Sequence, residues 1–189
     1  MRIPLTLTLT LILGSMLMAT GCGTASETPA TDVAEDAAAA APAPRVVTAV
    51  PVTATTRDQA ELLMSADPTR AANKKIAYDF FRVILRGQQL DQADQYMTDG
   101  YIQHNPNADT GKAGFLAYFA QFGGGPKPVP DTLDDLVAIQ AEGDLVTLSF
   151  VRSYPDPAIP DATYTTTWFD MFRIADGKIV EHWDSATKF

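Results

Sequence analysis

The chain has one cysteine, Cys22, two histidines, His104 and His182, and 14 lysines and arginines against 23 aspartates and glutamates in 189 residues. Each shortage removes a class of function. A lone cysteine cannot close a disulfide within the chain. The two histidines lie far apart and in neither an HxH nor an HExxH arrangement, so no metal site is expected, and nothing points to a cofactor. A formal charge of −9 with no basic cluster leaves nothing to track a phosphate backbone, which makes nucleic acid a poor partner. No GxSxG, no Walker loop and no GxGxxG after a strand is present, so nucleophilic and nucleotide chemistry have no equipment.

What is present begins with an apolar run, Leu5 to Met18, behind Arg2 and ahead of small residues, the layout of a signal peptide. The run is shorter than the roughly 20 residues a membrane span needs. Met18-Ala19-Thr20-Gly21-Cys22 resembles the lipobox of bacterial lipoproteins, with Ala19 where leucine is usual. That resemblance implies cleavage before Cys22, acylation of its thiol and attachment to a membrane of the cell envelope. With Gly23 following, it implies an outer membrane facing the periplasm if the source is Gram-negative. A plain secretory signal and an uncleaved anchor are the competing readings. From Gly23 to about Thr56 the chain is alanine, proline and threonine with a few acids and no large aromatic residue. Such a segment cannot bury enough apolar surface to offset its ordering entropy. The expected organisation is a signal over 1–21, a disordered tether over 22–56 and one folded domain over 57–189.

In the domain, Asp67-Pro68 has the form of an N-cap followed by proline at the first helical position, and Ile76, Phe80, Val83 and Ile84 recur at helical spacing up to Gly87. Short helices are expected over 57–66 and 90–96, the second ended by Asp99-Gly100. Thr110 is placed to cap a helix with Phe115, Leu116, Phe119 and Phe122 on its apolar side, stopped by Gly123-Gly124-Gly125-Pro126. Alternation then takes over, with one hairpin around Glu142-Gly143-Asp144 and a second around Ala175-Asp176-Gly177-Lys178. Helices first and strands afterwards predict an α+β fold, a cone-shaped curved antiparallel sheet with the helices on its concave face and a cavity between.

The second hairpin, Thr163–Asp184, carries Asp170, His182 and Asp184 among large apolar residues. Its turn allows two registers. A two-residue Asp176-Gly177 loop pairs Asp170 with Trp183 and turns His182 to the opposite face. A three-residue turn closing with Gly177 in a bulge pairs Asp170 with His182 and Trp168 with Asp184. The second is favoured here because it gathers the polar groups, with Trp168 and Phe172, on one face. In that setting Asp170 is suited to taking a proton next to a carbonyl, with His182 orienting or sharing it. The alternative is an Asp–His bond that merely satisfies two buried polar groups. His104, in Tyr101-Ile102-Gln103-His104-Asn105-Pro106, sits where a strand runs into a turn and is a further catalytic candidate. Tyr101, Gln103 and Asn105 are placed to hydrogen-bond a substrate oxygen. Tyr78 and Tyr118, on helices, read as core or rim residues.

These segments together resemble the SnoaL-like polyketide cyclase family, within the nuclear transport factor 2-like superfamily. The residues that carry the resemblance are Asn73–Leu85, the Tyr101–Pro106 stretch, the Gly111–Phe122 helix, Glu142-Gly-Asp-Leu-Val and Phe169 to Asp184. It implies a cone-shaped α+β barrel, commonly a homodimer through the sheet, and a cofactor-free aldol ring closure with Asp170 as acid and base and His104 and His182 as pocket partners. The same fold hosts isomerases, epoxide hydrolases, dehydratases and binding domains without chemistry, so the reaction stays open. A lipoprotein signal would also place this chain away from polyketide synthesis. Two readings stand: a lyase or isomerase of the enolising type acting on a small carbonyl compound, and a ligand-binding or scaffold lipoprotein using the same cavity.

Overall fold

The computed structural model describes residues 49–188 apart from Gly123. The expected signal segment, Cys22 and most of the tether lie outside the described residues. Among the described residues no helix is long and apolar enough to cross a membrane. The last part of the expected tether already touches the domain: the Val52 amide donates to Thr165 Oγ1 and the Thr55 amide to the Leu136 carbonyl. The domain therefore begins ahead of residue 57, because an extended chain with free backbone donors can add bonds to a sheet without large side chains of its own.

Helix α1 covers Gln59–Leu63 and α2 covers Pro68–Phe80, where Asp67 accepts from the amides of Thr69 and Arg70 as the Asp-Pro pair predicts. The α2 path continues through a π-helical turn, Phe81–Arg86, marked by a bond from the Gly87 amide to the Arg82 carbonyl. A 3₁₀ helix follows at Leu90–Gln95. Strand β1 is Met97–Gln103, so Asp99-Gly100 falls inside a strand, at an irregularity in its register, and does not end a helix. Helix α3 is Gly111–Ala120, and Thr110 precedes it without capping it. The Thr110 hydroxyl instead donates to the Tyr101 carbonyl and accepts from the Gln103 amide, tying α3 to β1.

Strands β2 (Leu136–Glu142), β3 (Leu145–Pro155), β4 (Thr163–Ala175) and β5 (Lys178–Asp184) complete an unclosed five-stranded sheet in the order β1-β5-β4-β3-β2. Three pairings are antiparallel, but β1 runs parallel to β5, which corrects the wholly antiparallel sheet expected. A strand that arrives from the helical half of the chain and leaves into α3 is not held to a hairpin connection. Val146, Leu148 and Phe150 of β3 and Phe172 and Ile174 of β4 turn inward against Phe80, Phe81 and Ile84, all nearly free of solvent contact. Aromatic rings join the two layers, with Phe81 4.5 Å from Phe150 and Phe80 5.6 Å from Phe172 between centroids.

The hairpin between β4 and β5 takes neither register expected. Ala175 pairs with Lys178, so the loop is the two residues Asp176 and Gly177, both at positive φ (49° and 73°), a primed hairpin turn. Farther along, Ile174 pairs with Ile179 but Arg173 pairs with Glu181, so Val180 is an extra residue in β5. The bulge restores Asp170, His182 and Asp184 to one face by a different route from the one expected. Asp170 now stands opposite Asp184, and Phe172 opposite His182.

A side chain at Gly177 would have to enter the left-handed region, at about 1–2 kcal/mol. Gly177→Val is expected to lower the unfolding free energy by about that amount in urea titration. An unchanged midpoint would contradict the turn.

Candidate functional site

The cavity lies between the inner sheet face and the helices and has a volume of about 740 Å³. Its walls are mainly aromatic, including Phe80 and Phe81 from the α2 path, Phe115 and Phe119 from α3, and Trp168 and Phe172 from β4. A size of this order suits a small organic ligand. Polar groups converge at one end, where Asp170, His182, Asp184, Tyr101, Gln103 and Asn105 all reach the lining.

Asp170 and His182 are 6% and 7% exposed, and His182 Nε2 lies 3.0 Å from Asp170 Oδ1. The ring of His182 stacks on Phe172, its cross-strand neighbour, at 4.7 Å and 17°. The other nitrogen, Nδ1, lies 2.9 Å from Gln103 Oε1. That oxygen is fixed by a second bond, from the Asn105 amide at 3.0 Å, while Gln103 Nε2 donates to the Tyr101 hydroxyl at 3.0 Å. Because the backbone N–H of Asn105 sets which end of the Gln103 amide is oxygen, His182 Nδ1 must be the donor in its bond.

The ring thus faces an acceptor on both sides. Nε2 and the Asp170 carboxyl can bond only if a proton lies between them, either on the ring or on the acid. Asp184 holds the neighbouring position differently: Oδ2 accepts from Asn105 Nδ2 at 2.7 Å and Oδ1 from the Ala186 amide at 3.0 Å. Both Asp184 oxygens are thus engaged by donors, and Asp184 stands opposite Asp170 across the two strands. Among the described residues no further hydrogen bond engages the Asp170 carboxyl.

Burial pushes the Tyr101 phenol well above the usual tyrosine range, and the charges of Asp184 and Asp170 add to the effect. The phenol therefore stays neutral and keeps a proton to donate. Since its oxygen already accepts from Gln103, that proton is available to a ligand oxygen.

The structure separates His104 from this group. Its ring stacks on Trp183 at 5.0 Å and 4°, and Nε2 lies 2.8 Å from Glu181 Oε1, on the outer face of the sheet. Glu181 also accepts from Arg173, and the bonds from His104 and Arg173 hold its carboxyl below the usual range. His104 thus pairs with Glu181 at the surface and is not among the residues that line the cavity. A residue at the end of a strand points to either face, and its position in the loop did not say which. The His104 amide still donates to the His182 carbonyl and helps tie β1 to β5.

Asp170, His182 and Asp184 also offer ligand atoms within 4.8 Å of one another. Motif spacing shows no such group because its members come from two strands. These are the residues that could hold a divalent cation, which would have to displace the proton shared by Asp170 and His182. Among the cavity residues that escaped the sequence reading are Arg86 and Arg152. Arg152 was legible in principle, since it continues the inward alternation of Val146, Leu148 and Phe150.

A model of the SnoaL-like domain matches residues 77–182, more than half of the chain. The chain belongs to the SnoaL-like domain family. No curated protein matches it. Among solved structures, this SnoaL-like chain is similar to a protein from Jannaschia sp. CCS1 described as a SnoaL-like polyketide cyclase, at 21% identity and a TM-score of 0.46, covering 65% of this chain and 91% of that one. It is similar to one from Acidithiobacillus ferrooxidans described as a polyketide cyclase, at 18% identity and a TM-score of 0.43, covering 64% and 89%. It is also similar to an M. tuberculosis LEH-like epoxide hydrolase, at 16% identity and a TM-score of 0.43, covering 60% and 80%. In this SnoaL-like domain the polar end of the cavity brings Asp170 and His182 within hydrogen-bond reach.

Two outcomes test this geometry. Gln103→Leu leaves the His182 Nδ1–H without its acceptor and is expected to cost about 1–3 kcal/mol in chemical denaturation. Above pH ~10 the unfolded chain releases a tyrosine proton that native Tyr101 retains, so stability should fall as pH rises through that region. Tyr101→Phe should remove that part of the alkaline loss, measured as the difference in unfolding free energy between neutral and alkaline pH.

Proposed function

We propose that the SnoaL-like domain is a cofactor-free acid/base lyase or isomerase of the enolising type, acting on a small carbonyl compound. The observation that carries this reading is an Asp170–His182 pair at 3.0 Å at the polar end of an open, aromatic-lined cavity. With the ring as imidazolium, Asp170 is a carboxylate whose Oδ1 accepts from His182, and its other oxygen is left to take a proton from the carbon next to a carbonyl. The electron pair of that C–H bond moves into the carbonyl, whose oxygen becomes an enolate. The Tyr101 hydroxyl donates to that oxygen where the charge develops. Asp170, now protonated, returns the proton to the same skeleton or gives it to a leaving group. Gln103 and Asn105 take a positioning part, the first holding the His182 tautomer and the second holding Asp184.

The second reading is a ligand-binding or scaffold lipoprotein in which the Asp170–His182 bond satisfies buried groups and no bond is broken. It is favoured by how completely Gln103, Asn105 and Ala186 saturate the surrounding acceptors. In either reading the domain is anchored to an envelope membrane through lipid on Cys22, a proposal that rests on the Met18–Cys22 segment and is checked by loss of membrane association in Cys22→Ser. A homodimer is part of the same reading, with sedimentation as its test.

Deuterium uptake from solvent at the carbon next to the carbonyl, followed by NMR over a panel of enolisable ketones, tests the chemistry directly. Asp170→Asn is expected to lower the uptake rate by about 10²–10⁴-fold while leaving ketone binding in place. No uptake by any ketone, with tight binding of a small apolar ligand, would give the protein to the second reading.

A further inference from the structure

The cavity has a second charged region, away from the acid/base pair. Arg86, at the end of the π-helical turn, and Arg152, on β3, both line it. Their guanidinium groups meet on one oxygen, Arg86 Nη2 at 2.6 Å and Arg152 Nη1 at 3.0 Å from Asp135 Oδ2. Asp135 is not among the lining residues, so it braces the two cations from behind. One carboxylate against two guanidiniums leaves an excess of one positive charge, and the cations are the groups that face the cavity.

Aromatic rings hold these side chains in place. The Arg152 guanidinium lies 5.8 Å from the Trp168 ring centroid and 5.9 Å from that of Phe150, and Arg86 lies 5.8 Å from the Phe150 ring. A fork steadied this way loses little freedom when it accepts a ligand. Arg86 spends Nη2 on Asp135, and Arg152 spends Nη1 on Asp135 and the Val151 carbonyl, leaving further N–H donors on each. In a chain with a formal charge of −9, a cationic patch against an aromatic cavity runs against the general field of the molecule.

We propose that the ligand of this cavity is an apolar organic monoanion, with its charge on Arg86 and Arg152, its hydrocarbon body against the aromatic walls and a neutral oxygen function at Tyr101 and Asp170. This rests on the reading of the same cavity as a small-molecule site and names the class of molecule it takes. Bringing an anion into an aromatic cavity is costly unless a fixed cation meets it, and charge-assisted bonds to guanidinium are the strong ones. A neutral molecule of the same shape gains nothing from that wall.

The test compares two fluorescent probes of nearly the same skeleton, anilinonaphthalenesulfonate and N-phenylnaphthylamine, which lacks the sulfonate. The native domain is expected to bind the anion about ten-fold tighter or more, with the preference falling as salt is raised. Arg86→Gln and Arg152→Gln, combined with Asp135→Asn so that no carboxylate is left unpaired, should abolish the preference and leave binding of the neutral probe unchanged. Equal affinity of the native domain for the two probes, binding of neither, or a preference that survives the triple substitution would overturn the inference. If the triple variant does not fold, the native comparison and its salt dependence decide. Deuterium uptake that requires Asp170, with no preference for the anion, would remove the ligand class and keep the chemistry. The reverse pattern would keep the ligand class and remove the chemistry.

Discussion

The site depends on one extra residue in a strand. Val180 has no partner in β4, and by interrupting the alternation of β5 it turns His182 and Asp184 to the face that already carries Asp170. Without the bulge, the tight Asp176-Gly177 turn would send His182 to the outer face, where His104 and Trp183 stack. The turn sets one parity and the bulge reverses it. The polar cluster around His182 follows from that reversal, because Gln103 of β1 meets His182 through the parallel pairing of β1 with β5.

Burying several polar and charged groups in an aromatic cavity would be costly if any were left unbonded, at about 1–3 kcal/mol for each orphan. The domain avoids this by routing backbone donors into the cluster: the Asn105 amide to Gln103 and the Ala186 amide to Asp184. Backbone groups cannot rotate away, so they fix side-chain orientation more firmly than other side chains would. The exception is the contact between His182 and Asp170, which requires a proton between the two. That contact engages one oxygen of Asp170, and the proposed reaction uses the other.

Much of the fold was legible in the sequence because periodicity and caps are local. Asp67-Pro68, the helical spacing from Ile76 to Ile84 and the two turns report chemistry within a few residues of themselves. The parallel β1–β5 pair was not legible, since pairing of distant segments leaves no local mark. Nor was the bulge, because Ile179-Val180-Glu181-His182 reads as an ordinary strand whichever residue is extra. Asp170, His182 and Asp184 were singled out for their chemistry, and the structure brings them together through a register the sequence did not show. The face His104 takes was not legible for a related reason, as a histidine at a strand end carries no label for it. Arg86 and Arg152 were overlooked because isolated arginines look like surface residues until the inward alternation of β3 is followed past Phe150.

The π-helical turn at Phe81–Arg86 bears on what the cavity wall presents. A regular α-helix turns by about 100° per residue, so Leu85 would stay near Phe81 while Arg86 would lie well around the helix from both Phe80 and Phe81. The wider turn brings all four to the cavity. The same residues wound as a regular α-helix would swing Arg86 away while leaving every side chain chemically unaltered. The cationic wall of this cavity is thus written partly in how a helix winds, a property that residue identities alone do not record.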